Sequence, residues 1–181
     1  MKAARQLCVV TLAVALGGGC AHSPGPTAGT PGQPASIPPQ AHGPLPVVDV
    51  VDGDTLTVAR DGAAVTVRLL GVDAPEIARP GWPVQGFGPE AAARATELLD
   101  GQQVWLETDP SQETVDGYGR ELAYLWLPGG RLVNLQLIEE GYAREYTHHR
   151  RYRYQDTFRA AQAEAENAGR GLWSPAACPG G

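Results

Sequence analysis

VDGDTLTVARDGAAVTVRLLGVDAPE, residues 51–76, is the stretch from which the architecture of this chain can be worked out. Leu56 to Ala59 and Ala64 to Leu70 are β-branched and apolar runs. The four residues between them, Arg60-Asp61-Gly62-Ala63, centre on Asp-Gly, a strong hairpin-turn signal. Antiparallel pairing returns the second strand beside the start of the first. Two acidic loops therefore meet at the open end of the hairpin, one carrying Asp52 and Asp54, the other Asp73 and Glu76. Arg68 alternates with Val67 and Leu69, so on a strand it points away from the face those two bury. Converging carboxylates call for a cation, and an arginine facing them calls for an anion. A hard divalent metal together with a phosphate answers both. The plainer alternative is that DGDT and VDAP are turns whose aspartates satisfy backbone N–H groups.

Outward from the hairpin, Gln103 to Thr108 and Glu121 to Leu127 are expected strands. The second is followed by a Pro128-Gly129-Gly130 turn and a short return through Arg131 to Val133. Pro89 can occupy the first turn of a helix that places Ala91, Ala95, Leu98 and Leu99 on one side and stops at Asp100-Gly101. Asn134 can cap a second helix ending at Gly141. A third carries Tyr154, Phe158, Ala161 and Ala165 at helical spacing, with Gly169 beyond its end. About five strands and three helices in this order suit a small Greek-key barrel with helices packed beside it, a mainly β form of the α+β class. This domain spans 46–175, with a loose tail at 176–181.

The chain of 181 residues is otherwise extension. Lys2 and Arg5 precede an apolar run, Leu7 to Leu16, that is too short to span a bilayer and leads into Gly17-Gly18-Gly19-Cys20. Residues 1–19 therefore read as a signal peptide. Small residues before a cysteine resemble a bacterial lipobox, with Gly17 where leucine is usual. Cys20 is then a lipidation site, and Ala21 after it leans toward the outer membrane or cell surface. Without lipid the protein is periplasmic or secreted. Residues 20–45 are rich in Pro, Gly, Ala and Ser and bury little, as expected of an extended tether. Cys8 leaves with the signal, so Cys178 stands alone if Cys20 is acylated. A Cys20–Cys178 bridge is the alternative if it is not.

The formal net charge is −6. Removal of the signal takes Lys2, the one lysine of the chain, and leaves twelve arginines against twenty acids. An acidic total argues against tight nonspecific nucleic-acid binding but leaves local fields open. The one basic, aromatic patch is Arg144 to Tyr154, with Arg150, Arg151 and Arg153 interleaved with Tyr146, Tyr152 and Tyr154. It suits backbone attraction and base stacking, or simply a solvated basic face. His148 and His149 are adjacent and unlikely ligands of one ion. Trp105, Trp126 and Trp173 fall in apolar runs and read as core or helix-docking aromatics rather than a base-binding platform, whereas Trp82 could be either.

Five blocks in order, with matching gaps, resemble the staphylococcal nuclease (thermonuclease) family. They are VDGDT at 51–55, RLLGVDAPE at 68–76, FGPEA at 87–91, DGYGRELAYLWL at 116–127 and NLQLIEEGYA at 134–143, with a terminal GLW at 171–173. The resemblance covers roughly residues 45–175 and implies a five-stranded OB-fold barrel with three helices. It also implies calcium held by Asp54, Asp73 and the carbonyl of Ala74, with Glu76 as general base and Arg68 and Arg120 on the reacting phosphate. Tyr118 matches a nucleotide-contacting tyrosine. Tyr146, Arg150, Arg151, Tyr152 and Arg153 are further candidates for substrate contact. The activity implied is hydrolysis of single-stranded DNA, RNA and loosened duplex to 3'-phosphate ends by a monomer. Three departures stand out: Ala74 replaces a frequent threonine, Gly117 replaces a lysine, and the flanking lysines are missing. The rival reading is a noncatalytic OB-fold module that binds nucleic acid or another envelope ligand.

Overall fold

The structure, a computed structural model, describes residues 36–77, 86–175 and 177. The signal segment, Cys20, most of the tether, Trp82 and Cys178 lie outside those residues. Strands β1 (His42–Val50), β2 (Thr55–Arg60), β3 (Ala63–Leu69), β5 (Gln103–Glu107) and β6 (Glu121–Leu127) form the main sheet. Between β3 and β5 come the two-residue β4 (Val72–Asp73) and helix α1 (Gly88–Leu99). After β6 follow β7 (Arg131–Leu132), α2 (Val133–Glu139), β8 (Arg144–Glu145), α3 (Gln155–Asn167) and a short 3-10 turn at Gly171–Trp173.

The sheet order is β3-β2-β1-β5-β6-β7, and a further β3–β6 pairing closes the five longer strands into a barrel. All ladders are antiparallel except β3–β6, where Val67, Arg68 and Leu69 run parallel to Glu121, Leu122 and Ala123. The β2–β3 hairpin turns through Asp61 (φ 52) and Gly62 (φ 80), the left-handed pair that Asp-Gly supplies, and holds unbroken register from Thr55–Arg68 to Arg60–Ala63. Leu56, Val58, Val67 and Leu69 from this hairpin join Leu125, Trp126 and Phe158 in one continuous core.

Two expectations need correction. The fifth barrel strand is β1, and Arg131–Leu132 forms only a short edge on β6. β1 begins at His42, ahead of residue 46. Pro44 and Pro46 hide β1 in the sequence, since proline cannot donate to a ladder. The strand accommodates them with register shifts between His42 and Leu45 against β5, and between Val47 and Asp49 against β2. Asn134 is no cap either: α2 starts at Val133 with Leu132 at its N-cap, and Asn134 is fully buried. Its side chain accepts from the Leu125 N–H at 2.8 Å and donates to the Leu70 carbonyl at 2.9 Å, tying the helix to β6 and to the end of β3.

Candidate active site

The open end of the hairpin gathers three of the expected residues directly. Asp54, just before β2, has a nearly buried side chain, and Arg68 sits opposite Thr55 on β3. The Arg68 Nη2 lies 3.0 Å from Asp54 Oδ2 and 3.3 Å from Asp73 Oδ1. Its Nη1 donates to the carbonyls of Val72 (2.6 Å) and Leu69 (3.1 Å), so main chain and carboxylates together fix the guanidinium. The backbone ties the two loops as well, because the Leu69 N–H donates to the Asp54 carbonyl at 2.9 Å. Ala74 enters through its N–H, which donates to Asp54 Oδ2 at 2.7 Å. Asp52 Oδ1 in turn accepts the Asp54 N–H at 3.1 Å. Burial pushes the Asp54 carboxyl up to about 7 and the nearby Asp52 adds to the rise. Arg68, the Ala74 N–H and the Thr55 hydroxyl pull the other way.

Glu76 is half-buried and is positioned by its backbone. A Cβ on Gly88 would lie 2.3 Å from the Glu76 carbonyl oxygen, so only glycine lets α1 begin so close to it. The residue before it, Phe87, takes a left-handed conformation at φ 73 and stacks on Tyr142 with ring centroids 5.4 Å apart. A non-glycine residue held there stores strain that the surrounding packing must over-determine. Gly53 has a similar role across the site, since a Cβ there would meet the Ala74 Cβ at 2.6 Å and the Ala91 Cβ at 3.0 Å.

Arg120 immediately precedes β6, whose Leu122 pairs with Arg68. Parallel closure of the barrel thus brings its loop alongside the arginine strand. The Arg120 Nε donates to Asp116 Oδ2 at 2.8 Å, and its guanidinium lies 5.3 Å from the ring centroid of Tyr118. Among the described residues Tyr118 is the most exposed of the large apolar side chains, at 88%. The pairing of Arg68 with Leu122 is what relates Arg120 to the hairpin end.

A family model described as staphylococcal nuclease homologue matches residues 66–175. A protein named thermonuclease from Staphylococcus hyicus is 41% identical over 128 residues, covering 71% of this chain and 74% of that one. A second thermonuclease, from Staphylococcus intermedius, is 40% identical over 124 residues, covering 68% and 72%. Endonuclease YncB of Bacillus subtilis is 38% identical over 125 residues, covering 68% and 58%. The chain belongs to the staphylococcal nuclease family.

Within this staphylococcal nuclease domain the Arg/Tyr patch divides in two. Tyr152 is 4% exposed, and its hydroxyl donates to Glu145 Oε1 at 2.9 Å, so it presents no face to a base. A Cβ on Gly71 would strike its ring at 2.7 Å, which shows how tightly it is seated. Arg153 pairs with the fully buried Glu107, which also accepts from Trp126 Nε1, the Tyr154 hydroxyl and Gln40 Nε2. A buried carboxylate demands such partners, and Arg153, itself exposed, spends Nη1 on this one. Tyr146, Arg150 and Arg151 stay exposed, Arg151 beside Asp156. Tyr146 leaves β8 directly opposite β4: Asp73 pairs with Arg144, and the Tyr146 N–H donates to the Gly71 carbonyl at 3.0 Å. Its hydroxyl and His148 Nδ1 are 3.0 Å apart, and the His148 and His149 rings adjoin.

The donor set at the hairpin end fits a hard divalent cation. One nitrogen of Arg68 already stands between an oxygen of Asp54 and an oxygen of Asp73, as a positive charge in this nest of carboxylates should. Among the described residues no three His, Cys, Asp or Glu side chains form a metal cage. An ion here would rest on two carboxylates and complete its shell with main-chain and water oxygens, which oxygen-loving cations accept. Sequence reasoning overlooked Gly53, Phe87 and Gly88 as framing residues. The signal lay in the quoted blocks themselves, where DGD and FGP place glycine beside each acidic loop or helix start.

Proposed function

We propose that this nuclease is a calcium-dependent phosphodiesterase that cleaves single-stranded DNA, RNA and loosened duplex with little sequence preference, leaving 3'-phosphate ends. The observation that carries the reading is the convergence of Asp54 and Asp73 on Arg68 at the mouth of the hairpin. Asp54, Asp73 and the Ala74 carbonyl would hold the ion, which supplies Lewis-acid polarisation of the phosphate when bound. Glu76, fixed through its backbone by α1, takes the proton of the attacking water. Arg68 exchanges its 3.3 Å contact with the exposed Asp73 carboxylate for an equatorial phosphate oxygen, and Arg120 donates to the phosphate and the departing 5' oxygen. Each well-placed donor of this kind typically contributes about 3–4 kcal/mol to transition-state stabilisation. Tyr118, exposed and stacked beside Arg120, offers a face to the neighbouring base. The protein acts as a monomer outside the cytoplasm, held at the envelope by a lipid on Cys20 or released by ordinary secretion.

Hydrolysis of single-stranded DNA is measured with calcium, with EDTA, and in Glu76→Ser and Arg68→Gly variants. Activity should require calcium and fall at least a hundredfold in each variant. Hydrolysis indifferent to the chelator and to both substitutions would leave a noncatalytic nucleic-acid-binding barrel.

A further inference from the structure

We propose that Asp116 is a positioning residue for the reaction: its carboxylate grips Arg120 by the Nε edge and leaves the two Nη nitrogens for phosphate. The inference rests on the reading of Arg120 as a phosphate ligand. The loop Asp116-Gly117-Tyr118-Gly119-Arg120 is closed by its own backbone, the Asp116 N–H donating to the Arg120 carbonyl at 2.9 Å and the Gly119 N–H to the Asp116 carbonyl at 3.0 Å. Gly119 supplies the positive φ of 81 that this reversal requires. Asp116 Oδ1 then accepts the N–H groups of Tyr118 (2.9 Å) and Arg120 (3.0 Å). An Asx turn needs no more than that one oxygen. The second, Oδ2, reaches the Arg120 side chain at 2.8 Å.

One carboxylate therefore holds both the backbone and the guanidinium of the same arginine. Tyr118 adds a second contact, its ring centroid 5.3 Å from the Arg120 Cζ. Among the described residues neither Nη nitrogen of Arg120 has an oxygen partner, whereas both of those on Arg68 are taken. A planar guanidinium fastened along one edge keeps a two-pronged end in a fixed direction, the form that matches phosphate. A side chain fixed beforehand loses less freedom when the transition state forms. Burial works to raise the Asp116 carboxyl, but the Arg120 N–H and guanidinium and the Tyr118 N–H outweigh it. The group ends below its ordinary value and stays ionised at neutral pH.

Asp116→Asn keeps an oxygen for the two backbone N–H groups and replaces the other by an amide that cannot accept from Nε. On single-stranded DNA, kcat should fall about tenfold with KM within about twofold. The Arg120 Nε–H resonance should lose its protection from exchange. In an Arg120→Gln background the same change should alter kcat by less than about twofold, since its effect passes through Arg120. An Asn variant with wild-type kcat, or one with the same loss in both backgrounds, overturns the proposal; the second result would mark a role in loop folding. Asp116→Ser, whose hydroxyl can still hold a backbone N–H, repeats the test if the Asn variant does not fold. Full activity of Arg120→Gln alone would remove Arg120 from the reaction and this proposal with it. An inactive Arg120→Gln beside a normal Asp116→Asn sinks this proposal only.

Discussion

Arg68 commits both Nη nitrogens to the protein, to two carbonyls and two carboxylates, whereas Arg120 gives up a single edge to Asp116. The difference follows from where each lies. Arg68 lies near the end of β3 with ladder partners on both sides, so its stem is fixed before any contact is made. Arg120 ends a five-residue loop and needs a local clamp to acquire a direction. Geometry that the barrel provides for one arginine must be built from a turn for the other. Arg68 is consequently bound up with folding, and Arg120 is separable from it.

Substitution should expose that asymmetry. Arg68→Gln leaves the nearly buried Asp54 without its guanidinium, and breaking such a pair costs about 3–5 kcal/mol. Urea unfolding in calcium-free buffer should show this loss, while Arg120→Gln should stay within about 1 kcal/mol of wild type. Equal losses would erase the distinction. Gly53→Ala tests the frame without touching a charge. The new methyl meets Ala74 and Ala91, so a cost of about 1–3 kcal/mol is expected. Activity should drop with it, because Ala74 is displaced relative to Asp54. A stable but inactive variant would sharpen the view that close packing sets the spacing of the acidic loops.

Local chemistry was readable in the sequence and distant partners were not. Asp61-Gly62 announces its turn because the conformation belongs to those two residues, and the hairpin then carries Asp54 toward Asp73. The helix at Pro89 and the strand at 121–127 were legible for the same reason. β1 was not, since its prolines argue against a strand and only bulges on both ladders reconcile them. An asparagine before a helical run reads as a cap, but Asn134 serves carbonyl and N–H groups far away in sequence. Arg153 and Tyr154 also serve Glu107 on another strand, a contact that their own stretch of sequence does not announce. The clue was a carboxylate at the end of Val104-Trp105-Leu106, which burial there obliges the rest of the chain to satisfy.

The smallest expected effect concerns pH and separates the two sites by sign. Asp54 is pushed upward by burial, so in calcium-free protein the folded state binds a proton more readily than the unfolded chain, and this term favours folding as pH falls toward 3.8. Asp116 is held below 3.8, so the unfolded chain binds the proton more readily. Its contribution is present above that value and disappears as pH drops through the folded value. Comparing wild type with Asp116→Asn cancels the Asp54 term common to both. The stability gap should be about 1 kcal/mol at pH 7, the scale of a hydrogen bond to a partly exposed charge, and should shrink as the pH falls toward and below 3.8. A gap that persists unchanged at pH 3 would assign the Asp116 contribution to loop geometry shared by either side chain, and the pairing with Arg120 would then add nothing to the fold.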